Sequence, residues 1–117
     1  MRKTSCLVLL ILTLIGAIPL VIAAGQKAAP GDATAGKAVF MKNCNLCHYA
    51  DKTDSKIGPG LKGLFKAREL PKSHHPVSEA TVREQIEKGN PSKGMPPFGK
   101  KLSKVDVDNL IAYLKTL

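Results

Sequence analysis

At 117 residues the chain has room for one domain and no second. Its 18 Lys and Arg outnumber nine Asp and Glu, giving a net charge of +9, so its expected partners carry acidic surfaces. Nucleic acid is set aside as a partner, because the chain has no Trp, two Tyr and three Phe and no recognition motif.

The domain does not begin at the first residue. Arg2 and Lys3 make a short positive start, Cys6 to Ile18 is almost wholly apolar, and Pro19 breaks the run before Val21-Ile22-Ala23-Ala24. Residues 1–24 therefore read as a secretory signal peptide, which would send the protein to the periplasm. An uncleaved membrane anchor is the competing reading, since Cys6 to Ala24 holds no charge and is long enough to span a bilayer. Membrane attachment is expected only in that case. Pro19 and Val21-x-Ala23 favour cleavage. Cys6 opens the apolar run rather than following it, so a lipidated mature N-terminus is not expected. Residues 25–31, GQKAAPG, read as a polar tether, and residues 32–117 as the folded domain.

Asp32 has the chemistry of an N-cap and predicts a helix over Ala33 to Asn43. Gly36 within it costs about 1 kcal/mol of helix propensity against Ala. It is either incidental or the place where a second helix crosses too closely for any side chain. Cys44-Asn45-Leu46-Cys47-His48 follows at once. Two thiols about one helical turn apart can add to the two vinyl groups of a porphyrin, and the next histidine can then bind the iron. The pattern reads as an attachment site for one covalent haem c. A zinc ribbon would need a second cysteine pair, and a thioredoxin-like redox pair would lie beside a βαβ pattern; neither is present. A mature chain of this size builds a marginal core on its own, and a buried porphyrin would supply the missing apolar bulk.

Tyr49 to Lys56 is a polar surface loop. Ile57-Gly58-Pro59-Gly60-Leu61 then makes a turn into a short apolar segment reaching Phe65. The Pro59 carbonyl is free to accept, and could take the Nδ1–H of His48, though Gly-Pro-Gly on its own is only a turn. Lys66 to Val77 is polar, with His74 and His75 between prolines; they are solvated side chains or, less expectedly, an axial ligand. Ser78 predicts a helix to Lys88 stopped by Gly89, with Val82 and Ile86 facing inward.

Gly89 to Gly99 is too rich in Gly and Pro for regular structure. It presents one soft ligand, Met95, which Pro96 and Pro97 would hold at a fixed distance. Met41 lies three residues before Cys44 on the attachment side, and Met1 lies in the signal segment. By elimination Met95 is the expected distal iron ligand, opposite His48. Ser103 and Asp106 form a capping box for a last helix to about Lys115, with Val107, Leu110, Ile111 and Leu114 as its apolar stripe. The fold expected is all-α, three to five short helices wrapped around the haem. Pro59, Leu61, Phe65, Ile86, Phe98 and Leu102 are the expected haem pocket.

These residues resemble a class I monohaem cytochrome c, similar to the small bacterial and photosynthetic cytochromes of the c6 and c-551/c-555 kind. The resemblance runs from about Asp32 to Leu117. It rests on Gly36 and Phe40, Cys44-x-x-Cys47-His48, Gly58-Pro59-x-Leu61, Gly94-Met95-Pro96-Pro97-Phe98, and Leu110 with Tyr113, in that order. It implies that Gly36 and Phe40 pack on Leu110 and Tyr113 where the first and last helices cross. It also implies that the Pro59 carbonyl holds His48 and that Met95 is the sixth ligand. Lys66 to Val77 matches no family motif.

The function expected is a monomeric, exported electron carrier rather than an enzyme, because two protein ligands leave the iron no open position. Lysines 56, 62, 66, 93, 100 and 101 would steer it to acidic redox partners, a reductase and an oxidase or reaction centre. The alternatives are a membrane-anchored cytochrome subunit of a larger oxidoreductase, and a haem sensor or peroxidase-like enzyme in which Met95 detaches.

Overall fold

The computed structural model describes residues 30–117, so residues 1–24, expected as a signal peptide, and the expected tether up to residue 29 lie outside the described residues. Three α-helices carry the architecture: α1 (Ala33–Asn43), α2 (Glu79–Lys88) and α3 (Lys104–Leu114). Single 3₁₀ turns lie at Leu64–Lys66 and Pro91–Lys93, and two isolated β-bridges, Glu69 to Pro76 and Asn90 to Met95, are the only extended pairings among the described residues. The fold is all-α.

Each helix begins where the sequence places a cap. The Asp32 carboxylate accepts from the amides of Thr34 and Ala35, at 2.7 and 3.3 Å. Ser78 and Ser103 each close a capping box, the first with Thr81 and the second with Asp106. The hydrogen bonds from Ser103 hold the Asp106 carboxyl below its usual range. Gly89, at φ 68, stops α2.

Helices α1 and α3 cross in direct backbone contact. A Cβ on Gly36 would stand 1.9 Å from the Asn109 carbonyl oxygen and 2.9 Å from the Tyr113 Cβ, so no side chain fits there. Asn109 returns the contact by accepting the Asp32 amide proton on Oδ1 at 2.8 Å. One turn on, Phe40 is fully buried and its ring packs against Tyr113 with centroids 5.6 Å apart. The glycine is the crossing point and not incidental.

Helix α2 is tied to α3 by Arg83, whose guanidinium pairs with Asp108, and by Lys115, which reaches Glu79. Hydrogen bonds from Lys104 and then from Arg83 hold the Asp108 carboxyl below its ordinary pKa, keeping it a carboxylate. Val82 and Ile86 of α2 join Val107, Leu110, Ile111 and Leu114 of α3 in one core with Phe40, Leu64 and Leu70. Between the first 3₁₀ turn and α2 the chain makes a hairpin-like strap. Val77 N–H donates to Arg68 and Leu70 N–H to His75, at 3.1 and 2.8 Å, which drives Leu70 into the core.

Replacing Gly36 with Ala sets two effects against each other. Helix propensity favours Ala by about 1 kcal/mol, while forcing a methyl into a backbone contact costs roughly 3 kcal/mol. The clash should win. Denaturant unfolding of the haem-loaded Gly36→Ala protein is expected to give a lower midpoint, and an unchanged or higher one would mean that the helices do not cross at Gly36.

Candidate functional site: a cavity around Cys44, Cys47, His48 and Met95

The Cys44–His48 stretch hangs directly on the end of α1. Cys44 N–H donates to the Phe40 carbonyl at 2.8 Å, and the Cys44 carbonyl accepts from both Cys47 and His48, at 3.0 and 2.9 Å. This last turn brings both thiols to the wall of one cavity. Both are free. Burial, and next the neighbouring Cys47, push the Cys44 thiol up to about 11, while Lys101 pulls it back in part. At neutral pH it is an uncharged S–H, suited to an apolar wall.

His48 is oriented from behind. Its Nδ1 lies 2.8 Å from the Pro59 carbonyl oxygen. A carbonyl only accepts, so Nδ1 is the donor here and Nε2 is the ring nitrogen left for a metal. Gly58 makes room for this: a Cβ there would lie 2.5 Å from the imidazole Cε1. Backbone bonds Gly58 N–H to Cys47 and Leu61 N–H to Tyr49, at 2.7 and 2.8 Å, fasten the Gly-Pro-Gly turn to the attachment stretch.

Met95 is held from the other end of the chain. Its N–H and carbonyl exchange hydrogen bonds with Asn90, at 3.1 and 2.8 Å, across the Pro91–Lys93 turn. Phe98 and Gly99 donate to Ile86 and Glu87 of α2, at 3.0 Å each, which docks the rest of the loop. The loop is fixed by these bonds as well as by its prolines. The Gln85 amide donates to the Met95 sulfur at 3.6 Å, a contact that the sequence reading missed; no local motif marks it.

Cys44, Cys47, His48, Gln85 and Met95 line one cavity of about 490 Å³. That is the size range of cofactor sites, ~300–1,000 Å³. Of the residues expected to form the haem pocket, Pro59, Leu61, Ile86 and Phe98 form part of its wall, and Phe65 and Leu102 do not line it. They pack against the core from outside. The 3₁₀ turn points Leu64 inward at 6% exposure and leaves Phe65 outside, under the Lys115 ammonium. Leu64, Leu70, Val82 and Leu110 complete the apolar wall. His74 and His75 are not in the lining; His74 faces Glu69 at 3.4 Å. Met41 is exposed and also outside it.

The charged side chains in the lining are Lys72, Lys93 and Lys101, with no carboxylate among them. Two free cysteines, an imidazole, a thioether, aliphatic walls and cations together suit a large apolar ring that bears negative charge. A c-type haem meets that description. The residues present fit it.

The fold and this site define a one-haem c-type cytochrome domain. Residues 31–114 match the family model described as cytochrome c oxidase, cbb3-type, subunit III. Cytochrome c2 of Rhodospirillum rubrum is 34% identical over 119 residues, covering 81% of this chain and 87% of that protein. Cytochrome c6 of Picosynechococcus is 33% identical over 96 residues, covering 80% of each. Among solved structures, cytochrome c6 of the diatom Phaeodactylum tricornutum superposes with a TM-score of 0.58 at 28% identity, over 74% of this chain and 93% of that one. The chain belongs to the cytochrome c family, and its cofactor is covalently bound haem c.

Proposed function

We propose that this chain is an exported c-type cytochrome that carries single electrons between redox proteins and is not an enzyme. The observation that carries this reading is the one cavity lined by both thiols, by His48 and by Met95. When bound, the haem supplies a one-electron couple between ferrous and ferric iron. The chain's part is to hold that couple in place and keep other reactants away. Cys44 and Cys47 would hold the ring at the end of α1 through thioethers, each S–H adding across one vinyl double bond. Pro59 accepts from His48 Nδ1, which would leave Nε2 as the nitrogen that binds the iron. Met95 offers its thioether from a loop tied to α2. A thioether favours the ferrous state, so the potential lies above that of a bis-histidine site. With His48 and Met95 both bound to the iron, no position would be left for oxygen, peroxide or substrate.

The partner surface proposed is the rim of the cavity. Lys93 and Lys101 line it, Lys56 reaches the Asn45 carbonyl beside the attachment stretch at 2.8 Å, and Leu46 and Ile57 stand 75% and 74% exposed on the same rim. Lys66 is turned instead toward the Leu117 carbonyl, so it is a weaker member of the ring. Cations around apolar side chains suit an acidic partner protein bound weakly and briefly. Periplasmic location rests on the reading of residues 1–24 as a cleaved signal, which N-terminal sequencing of the purified protein tests; an intact Met1 would favour the anchored form. No helix among the described residues is long and apolar enough to cross a membrane.

Two measurements check the proposal. Met95→Ala should abolish the weak methionine-to-iron band of the ferric protein and let the ferrous protein bind carbon monoxide at neutral pH, which the parent should not do. An unchanged spectrum would rule Met95 out as a ligand. Electron-transfer rates to an acidic partner should fall steeply once salt shortens the screening length below about 10 Å; flat rates would remove the steering role of the lysines.

A further inference from the structure

The strap between the first 3₁₀ turn and α2 carries two features that the haem-ligand reading does not use. Lys72 lines the cavity while its backbone is held at φ 74, a left-handed conformation that costs a lysine what it would not cost a glycine. Next to it, Ser73 Oγ is shut off from solvent and has no hydrogen-bond partner, alone in this among the described residues. An orphaned buried hydroxyl is destabilising unless something else supplies its partner. Ser73 lines a second, smaller cavity of about 240 Å³, and Gln85 and Asn90 line both that cavity and the main one. The two cavities therefore meet at one polar wall.

A haem brings two carboxylates, on the half of the ring away from the vinyl groups that Cys44 and Cys47 take. Of the three cavity lysines, Lys101 sits close enough to Cys44 to influence its thiol, which puts it on the vinyl side. Lys72 belongs to the strap with Ser73. We propose, resting on the haem reading above, that Lys72 and Ser73 receive the haem carboxylates at this wall and are thereby positioning residues that set the reduction potential. The ammonium supplies a counter-charge and the hydroxyl a donor, and both groups gain the partner they lack. Other charges face the same corner: His75 from the strap, Glu84 and Lys88 from α2, and Lys93 from the Met95 loop. Glu84 is already engaged by Lys88 at 2.7 Å.

The sign of the effect follows from charge. Removing a cation beside the carboxylates leaves more negative charge near the iron, favouring the ferric state and lowering the potential. It also makes the carboxylates harder to ionise, so the fall of potential with rising pH moves to higher pH. The experiment is redox titration of the haem-loaded protein between about pH 5 and 9, for Lys72→Gln, Lys72→Arg, Ser73→Ala and the remote control Lys37→Gln. Haem content is measured alongside from the pyridine adduct. Lys72→Gln is expected to lower the potential and shift the pH profile upward, Ser73→Ala to do so more weakly, and the other two to match the parent. Full haem content with unchanged potential and profile in Lys72→Gln would overturn the proposal, as would an equal shift in Lys37→Gln. Should Lys72→Gln lose its haem, Ser73→Ala decides: a parent-like profile there overturns the proposal. A parent protein without haem would instead overturn the haem reading itself.

Discussion

Everything in the site depends on how closely α1 can approach α3. The Asn109 carbonyl occupies the volume where a side chain of residue 36 would go, and Asn109 Oδ1 holds the first amide of the α1 cap. That contact sets where Phe40 meets Tyr113, and Phe40 in turn accepts the Cys44 amide that starts the attachment turn. A chain with no Trp and few aromatic residues has little apolar volume to spend on a core. Its helices close around a cavity instead of filling it, and the cavity is where the chemistry is.

Charge is distributed to the same end. Most carboxylates are taken up outside the lining of the main cavity: Glu79 by Lys115, Asp108 by Arg83 and Lys104, Asp32 and Asp106 by helix caps, and Glu84 by Lys88 at the adjoining smaller cavity. What remains around the opening is lysine and exposed aliphatic surface. Surface pairs of this kind add little stability. Their consequence is the field they leave behind, which is positive where an electron would enter or leave.

The helices and their caps could be read from the sequence because each is a local pattern, such as a serine three residues before its partner, and the expected ligands Cys44, Cys47, His48 and Met95 share one cavity. The crossing at Gly36 needed the family resemblance, since a lone glycine does not announce what lies against it. The walls were harder. In Leu64-Phe65 the sequence offers two apolar neighbours, and only the direction of the 3₁₀ turn decides that Leu64 faces the cavity and Phe65 the outside. Leu70 is buried in a stretch that reads as polar throughout, because two backbone bonds fold the strap and push it inward. The Gln85 contact with Met95 joins α2 to a loop that no periodicity connects to it.

The central claim is that the chain fills both axial positions of its haem with the same two side chains whichever oxidation state the iron is in. X-ray absorption at the iron edge, on the ferric and the ferrous protein in turn, tests this directly. The account predicts one imidazole nitrogen and one thioether sulfur beside the porphyrin nitrogens in both spectra, with little change between them. An oxygen ligand, a second imidazole or a vacant position in either state would contradict it.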